Sequence, residues 1–429
     1  MERHEMGDYE FRDPIHGFIY VRPLEKKIID SRPFQRLRGI KQLALTHLVY
    51  HGAEHTRFGH SLGVMHLVSK AFNSAISKNT PFSKEQADWY EQILRLIALT
   101  HDLGHAPFSH GSESVFPDGL EHEDFTDNII LNTEIADYIR EIGAEFVHKY
   151  GSEFDITPEL ICSIYHGKNV SNPDFIFLKK FMDSELDCDK MDYLLRDSLY
   201  CGVNYGKYDV DRLISCLTTY KKDNNVFLAI EKGGINAFEG FVLARYFMFI
   251  QVYFHKTRRF LDKMLVEYLK TSLPNGRYPD NVDDYLEWDD ALVWRNIKRD
   301  EKSNYYADRL INRKIMKMVY ESPTHSNIQE KKMYNLIKND MQKMFGCENI
   351  LFDSVEKMAH KIPAKYEIDN EKTIPVLLNY SDQPSTISIE SGIINKMTEP
   401  IYIMRLYAKE EIEHEAEAFV KQRMKDMMD

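Results

Sequence analysis

The chain lacks any apolar run near the roughly 20 residues that a membrane-crossing helix needs; its longest, such as ILRLIALT before His101, stop well short of that. No transmembrane span is expected. Cysteine is scarce: Cys162, Cys188, Cys201, Cys216 and Cys347 are an odd number without CxxC spacing, which argues against a disulfide framework and against a zinc knuckle. They read as reduced core residues. Positive charge is also short, with 55 Lys and Arg against 67 Asp and Glu and a net charge of −12. Such a surface has no global attraction for a polyanion, although a local basic pocket can still bind phosphate, so nucleic acid is not the leading partner. The first residues, MERHEMGDYEFRD, are charged from the second position and have no apolar h-region, so a cytoplasmic rather than a secreted protein is expected. Internal repeats and low-complexity segments are missing as well.

What is present is enough apolar residue, 43%, to bury one large core or two smaller ones. Short extended segments around DPIHGFIYV lead into a basic helical stretch, PFQRLRGIKQL, with Pro33 suited to a first turn. Helical spacing runs from Ser61 to Ala71 and again over Tyr90–Leu99 into THDLGH. The pattern stays helical from about Thr157 to Tyr200. A hairpin follows in TTYKKDNNVFLAIEKGG, with Asn224 and Asn225 at its turn, and then one long aromatic-rich helix over about Asn236–Thr271. The last 100 or so residues mix helix with strands such as TIPVLLNY and PIYIMRLYA. The expected architecture is mainly α, a helical core over 1–320 with small hairpins, followed by a smaller α+β unit over 321–429.

The chemistry concentrates in ALTHDLGHAPFSH, where adjacent His101 and Asp102 at a helix end can bind one divalent ion. His60, in EHTRFGHSLGV beside another apolar helix, supplies a second imidazole, and SELDCDKMDYLLRD offers Asp187, Asp189 and Asp192. Two imidazoles with two carboxylates form a mixed hard and borderline ligand set suited to Mn²⁺, Fe²⁺, Zn²⁺, Ni²⁺ or Mg²⁺. Positions left over for water and a phosphate oxygen are the arrangement of hydrolytic chemistry.

These motifs resemble the SAM-and-HD-domain deoxynucleoside triphosphate triphosphohydrolases and their bacterial HD relatives. The resemblance runs through DPIHGFIYV, IIDSRPFQRLRGIKQL, HTRFGHSLGV, HDLGHAPFSH, EHED, DCDKMDYLLRD and ARYFMFIQVYFHK, covering most of residues 11–260, with PIYIMRLYAK as a closing strand. Only the catalytic part is represented, without the SAM module. By position it implies an HD-domain fold with His60, His101, Asp102 and Asp189 as metal ligands, supported by Asp187 and Asp192. It implies attack at the α-phosphorus of a deoxynucleoside triphosphate (dNTP), with His110 protonating the departing 5′ oxygen and His105, His122 and Glu123 in the same cleft. Glu113 and Glu123 can orient those imidazoles, and a histidine near neutral pKa suits proton donation. Arg57, Lys190 and Arg245 match the phosphate contacts, and a second Mg²⁺ can accompany the triphosphate. Gln42, Leu43, Tyr193, Asp197 and Tyr253 match the sugar site, where a tight hydrogen-bonding pocket discriminates against a ribose.

The resemblance further implies a homo-oligomer, dimer or tetramer, with a nucleotide effector at a subunit interface; Asp30, Arg38, His255, Lys256, Arg313 and Lys317 match its positions. Two departures bear on regulation. Tyr9 and Arg12 replace a lysine and an asparagine, and a basic pair after the hairpin becomes Glu231 and Gly233, an acid that repels phosphate. Activation by a pair of nucleotides is therefore not expected. Two other functions compete: an HD-type metal nuclease or phosphodiesterase, whose basic track with exposed aromatics is not evident here, and a non-catalytic nucleotide-binding regulator.

Overall fold

Asp13 turns the chain at its start: its carboxylate accepts the backbone N–H groups of Ile15 (2.8 Å) and His16 (3.0 Å). With Gly17 at φ 78°, strand β1 (Tyr9–Asp13) folds back antiparallel onto β2 (Gly17–Val21). The computed structural model describes residues 9–168, 172–223, 225–363 and 373–427.

Prolines start the next two helices, α1 (Pro23–Asp30) and α2 (Arg32–Arg36), where a missing N–H leaves nothing unpaired. Two long helices follow, α3 (Arg57–Ser77) and α4 (Lys84–Thr100), the second capped by a Ser83–Gln86 capping box. Helices α5 (His122–Asn132), α6 (Glu134–Tyr150), α7 (Pro158–His166) and α8 (Pro173–Lys179) lead to α9 (Cys188–Cys201). Asp187 caps α9 by accepting the Lys190 N–H at 2.8 Å. Helices α3 and α9 lie so close that a Cβ on Gly63 would stand 1.9 Å from Asp192 Oδ1, so only glycine fits there.

After α10 (Val210–Ser215) comes the expected hairpin, β3 (Leu217–Lys222) and β4 (Asn225–Glu231); Asn224 lies outside the described residues. The single long helix expected over Asn236–Thr271 is instead two. Helix α11 (Ile235–Met248) runs through a π-helical turn, Phe249–Tyr253, and breaks at Phe254–His255 before α12 (Lys256–Ser272), with 63° between the arms. His255 leaves helical geometry, and its Nδ1 accepts the Thr257 N–H to cap α12. Apolar spacing continues through the break, which hides it from a periodicity reading.

Helices α13 (Val282–Leu286), α14 (Asp290–Asp300) and α15 (Tyr305–Ile311) lead to β5 (Lys317–Glu321), which spans the expected boundary at 320/321. The remainder is α16 (Ile328–Phe345), β6 (Ile350–Lys357), β7 (Pro375–Leu378), β8 (Ser381–Thr386), α17 (Ile387–Glu390), α18 (Gly392–Lys396), β9 (Ile401–Ala408) and α19 (Glu413–Asp426). One sheet has the order β5-β9-β6, all antiparallel, while β7 and β8 join the earlier hairpin in the order β3-β4-β7-β8. The fold is mainly α with small sheets, as expected. Four cysteines are buried; Cys347 is exposed, contrary to a core role. Among the described residues no single helix is long and apolar enough to cross a membrane.

The largest core gathers Val64, Leu67, Ile93, Ile97 and Leu194 from α3, α4 and α9. At its edge Glu25 is buried against Arg95, whose guanidinium donates to both carboxylate oxygens (2.7 and 2.6 Å). Burial alone would raise the Glu25 carboxyl, but Arg95 and Arg22 hold it down at about 2. A depressed acid adds stability that is present above its unfolded pKa and lost as pH falls through the folded one, here between about 4.5 and 2. Urea melts across that window should lose about 3 kcal/mol from this pair. Glu25→Gln should flatten that dependence and cost about 3–5 kcal/mol at pH 7 by removing the carboxylate charge that faces Arg95; an unchanged melt at pH 7 would show that the pair does not hold α1 to α4.

Candidate active site

Three helices bring four side chains to one point. His60 stands in the first turn of α3, His101 and Asp102 follow the last turn of α4, and Asp189 lies in the first turn of α9. His60 Nε2 is 3.0 Å from Asp189 Oδ1 and 3.7 Å from Asp102 Oδ2; His101 Nε2 is 3.3 Å from Asp102 Oδ1 and 3.8 Å from Asp189 Oδ1. An ion bonded at about 2.1 Å sets neighbouring ligands about 3 Å apart, so His60, His101 and Asp102 have the span of a coordination shell, and Asp189 borders them through the two imidazoles.

The imidazoles are prepared for a cation. His60 Nδ1 is 2.8 Å from Asp192 Oδ2, and His101 Nδ1 is 2.7 Å from the carbonyl of Ala98. Each ring therefore keeps its proton on Nδ1 and turns the Nε2 lone pair inward. Both Nε2 atoms are buried and have no hydrogen-bond partner. Unpaired buried nitrogens beside carboxylates are costly unless a cation joins them, and this donor set fits a divalent ion.

Behind the quartet lies a buried network that sequence reasoning missed. Asp192 accepts from His16 Nε2 (2.6 Å) and takes two bonds from Arg196 (2.7 and 2.9 Å), and Arg196 reaches Asp13 at 2.9 Å. Asp13 and His16 both belong to the DPIHG segment, so the N-terminal hairpin braces the His60 ligand. Burial opposes ionisation of Asp192, but Arg196 and the two imidazoles keep its carboxyl well below the usual range.

A second cluster adjoins the first. Glu113 gathers three imidazoles: His105 Nδ1 at 2.9 Å, His110 Nδ1 at 2.7 Å and His122 Nδ1 at 3.2 Å. The His105 and His122 rings stack, centroids 4.0 Å apart and 15° from parallel. Stacked rings point their in-plane lone pairs alongside one another rather than at one ion, so this group suits proton handling better than a second metal. Burial and nearby Arg57 push His105 down to about 3, leaving it neutral, whereas Glu113 outweighs burial and raises His122. His110 is the exposed member, and Glu123 Oε2 lies 3.3 Å from His122.

The expected phosphate-binding cations are already engaged. Arg57 donates to Asp102 (2.7 Å) and to Ser109 Oγ (2.8 Å). Lys190 Nζ pairs with Asp187 and reaches the Ser184 carbonyl at 3.1 Å. Arg245 meets Glu185 at 3.0 Å and lies near Tyr193, leaving its buried Nε unpaired. At the far end of α9, Asp197 accepts from Tyr253 OH (2.7 Å) and lies 2.7 Å from His55 Nε2, a histidine not singled out in the sequence; Tyr193 packs edge-on to Tyr253. Gln42 pairs with His55 through the backbone, its side-chain oxygen is unpaired, and Leu43 is buried beside it.

The described sequence is similar to known proteins over most of its length. The family "HD associated region" matches residues 208–399. The uncharacterized protein YwfO of Bacillus subtilis is 32% identical over 90% of this chain and 89% of its own length. The chain belongs to the HD-domain phosphohydrolase family. A Dictyostelium discoideum protein named as a deoxynucleoside triphosphate triphosphohydrolase SAMHD1 homolog is 32% identical over 72% of this chain, which covers 59% of that protein. A crystal structure of a phosphohydrolase from Bacteroides thetaiotaomicron superposes with a TM-score of 0.68 at 25% identity, covering 94% of this chain and all of that one.

In this HD-domain phosphohydrolase the residues matched to an effector site stand at the surface in one copy of the chain. Asp30 pairs with Lys26, and Arg38 lies over the Phe58 ring at 3.5 Å. His255 caps α12, Lys256 and Lys317 are exposed, and Arg313 bonds the Leu48 carbonyl. Glu231 pairs with Lys78 at 3.0 Å.

The role of Asp192 is open to direct measurement. Asp192→Asn should weaken Mn²⁺ binding about 10- to 100-fold in calorimetric titration, because a neutral amide no longer holds the His60 proton as firmly. Unchanged affinity in a variant with native circular dichroism would remove Asp192 from the support of the ligand.

Proposed function

We propose that the chain hydrolyses deoxynucleoside triphosphates to the deoxynucleoside and inorganic triphosphate, with His60, His101, Asp102 and Asp189 holding one divalent ion. The observation that carries this reading is the order of side chains along α9. Asp189 at the cluster, Lys190 and Tyr193 beside Arg245, and Asp197 beside Tyr253 and His55 follow one another over eight residues, about 12 Å of helix. That sequence of acid, cation, aromatic and hydrogen-bonding acid suits a phosphate chain with a sugar at its end.

When bound, the ion supplies Lewis-acid polarisation of a phosphoryl oxygen and eases ionisation of a water molecule. Lys190 and Arg245 bind the phosphate oxygens, and Arg57 fixes Asp102 while adding positive charge near the α-phosphorus. His110, oriented through Nδ1 by Glu113, presents Nε2 and donates its proton to the departing 5′ oxygen; His105, His122 and Glu123 keep that imidazole's surroundings polar, and His122, whose charged form Glu113 favours, resupplies the proton. Asp197 and Gln42 accept from the 3′-hydroxyl, and Leu43, Tyr193 and Tyr253 fill the space a 2′-hydroxyl would need. A second Mg²⁺ accompanies the triphosphate. The working form is a homo-oligomer, dimer or tetramer, in which Asp30, Arg38, His255, Lys256, Arg313 and Lys317 face a neighbouring copy.

Product identity tests the reading. The purified protein is incubated with each dNTP, each NTP and short oligonucleotides in Mn²⁺ or Mg²⁺, and products are identified by mass. Nucleoside with triphosphate from dNTPs, and little from NTPs, is the expected result; nucleoside monophosphates from oligonucleotides, or tight nucleotide binding without product, would overturn it. Asp189→Ala should lose bound metal, measured by elemental analysis, together with turnover.

A further inference from the structure

The loop that carries His110 is held in a conformation its own residues disfavour. Phe108 (φ 60°) and Ser109 (φ 50°) are consecutive left-handed residues, and neither is glycine. Side chains resist this region, so such a turn persists only when outside contacts fix it. We propose that Asp290 is the positioning residue that fixes it, and thereby aims His110; the proposal rests on the reading of His110 as proton donor.

Asp290 opens α14, some 180 residues from the loop, and is buried. Its Oδ1 accepts the Phe108 N–H at 2.6 Å and its Oδ2 accepts the Lys41 N–H at 3.0 Å. The two strapped backbones are joined again by Ser109, whose hydroxyl donates to the Lys41 carbonyl at 2.7 Å and accepts from Arg57 at 2.8 Å. One carboxylate thus ties the turn before His110 to the segment that leads into Gln42 and, through Ser109 and Arg57, to the ligand Asp102.

Both oxygens are needed, because an amide offers one acceptor to two buried N–H groups. Lys41 does not neutralise the acid by direct pairing: its ammonium is 2.7 Å from Glu54. Burial accordingly pushes the Asp290 carboxyl up to about 7, against the pull of the two N–H donors. The same stretch of chain supports the loop elsewhere: Tyr285 OH donates to the Gly104 carbonyl at 2.7 Å, and Arg36 bridges the carbonyls of Trp288 (2.8 Å) and His105 (3.0 Å). Among these, Asp290 is the contact made to the left-handed residues themselves.

A contact that merely stabilised α14 would lower melting temperature and leave turnover of the folded enzyme alone. The test is a double-mutant cycle on dNTP turnover in Mn²⁺, with Asp290→Ala and Asp290→Asn placed in the native and His110→Ala backgrounds. Asp290→Ala should cut kcat about 10- to 100-fold, with KM held within about twofold. The same change should cost less than about twofold once His110 is gone. Asp290→Asn, which keeps one acceptor, should fall between. Equal losses in both backgrounds, or a loss confined to KM, would overturn the proposal. Full activity of His110→Ala would sink the proton-donor reading and this proposal together; an inactive His110→Ala beside a fully active Asp290→Ala would sink this proposal alone. Histidine-labelled protein adds a readout that needs no turnover: Asp290→Ala should move the His110 ring resonance and leave that of His148, on α6, in place. An unmoved His110 signal would also overturn it.

Discussion

A neutral imidazole binds a cation through one nitrogen only, and the choice is made by whatever takes the proton of the other. At His60 that partner is Asp192, and at His101 it is the Ala98 carbonyl. The second comes free with any helix end, but the first demands architecture. It requires α3 and α9 to approach until only a glycine fits at position 63, and it requires Arg196 to offset the charge buried on Asp192. Arg196 in turn needs Asp13, and the other Asp192 oxygen needs His16, so the β1–β2 hairpin is part of the centre although none of its residues faces the cluster.

Charge bookkeeping around the cluster follows from the same constraint. Asp102 is paired with Arg57, Asp187 with Lys190 and Asp192 with Arg196. Asp189 meets only the two imidazoles among the described ion pairs, and it is the most exposed acid of the four. Carboxylate charge without a fixed counter-cation therefore collects where the unpaired Nε2 atoms converge. In a chain of net charge −12, positive potential at this point has to be generated locally, by a bound cation, rather than by the surface as a whole.

The helices that carry the four metal-set residues, the hairpins and the closing strand were legible in the sequence, because apolar periodicity and turn residues are local signals. The grouping of His60, His101 and Asp102 with an acid from DCDKMD was legible too, since each stands at the end of an apolar helix. Partners drawn from afar were not. His16 meets Asp192 across 176 residues and Asp290 meets Phe108 across 182, and nothing in either neighbourhood marks the contact. His55 was within sight in EHTRFGH, but a histidine two positions before an arginine carries no signal of its own until Asp197 is seen beside it. The break at Phe254–His255 was hidden for a different reason: both arms bury apolar faces, so the periodicity runs on while the axis turns by 63°.

That break has a use at the Asp197 end of α9. At 100° per residue, Arg245 and Tyr253 on a regular helix would stand about 80° apart around the axis. The π-helical turn at Phe249–Tyr253 advances less per residue and draws Tyr253 back toward the Arg245 face. Tyr193, midway between Lys190 and Asp197 on α9, then lies beside Arg245 and packs edge-on to Tyr253 at 6.2 Å. Two helices with different local pitch are thereby matched side chain for side chain, the cations opposite one another near Asp189 and the hydroxyl of Tyr253 on Asp197. The bend that follows lets α12 leave this face at once, so the chain can set both Arg245 and Tyr253 against α9 and still turn away to pack Phe260 and Leu265 into the second core.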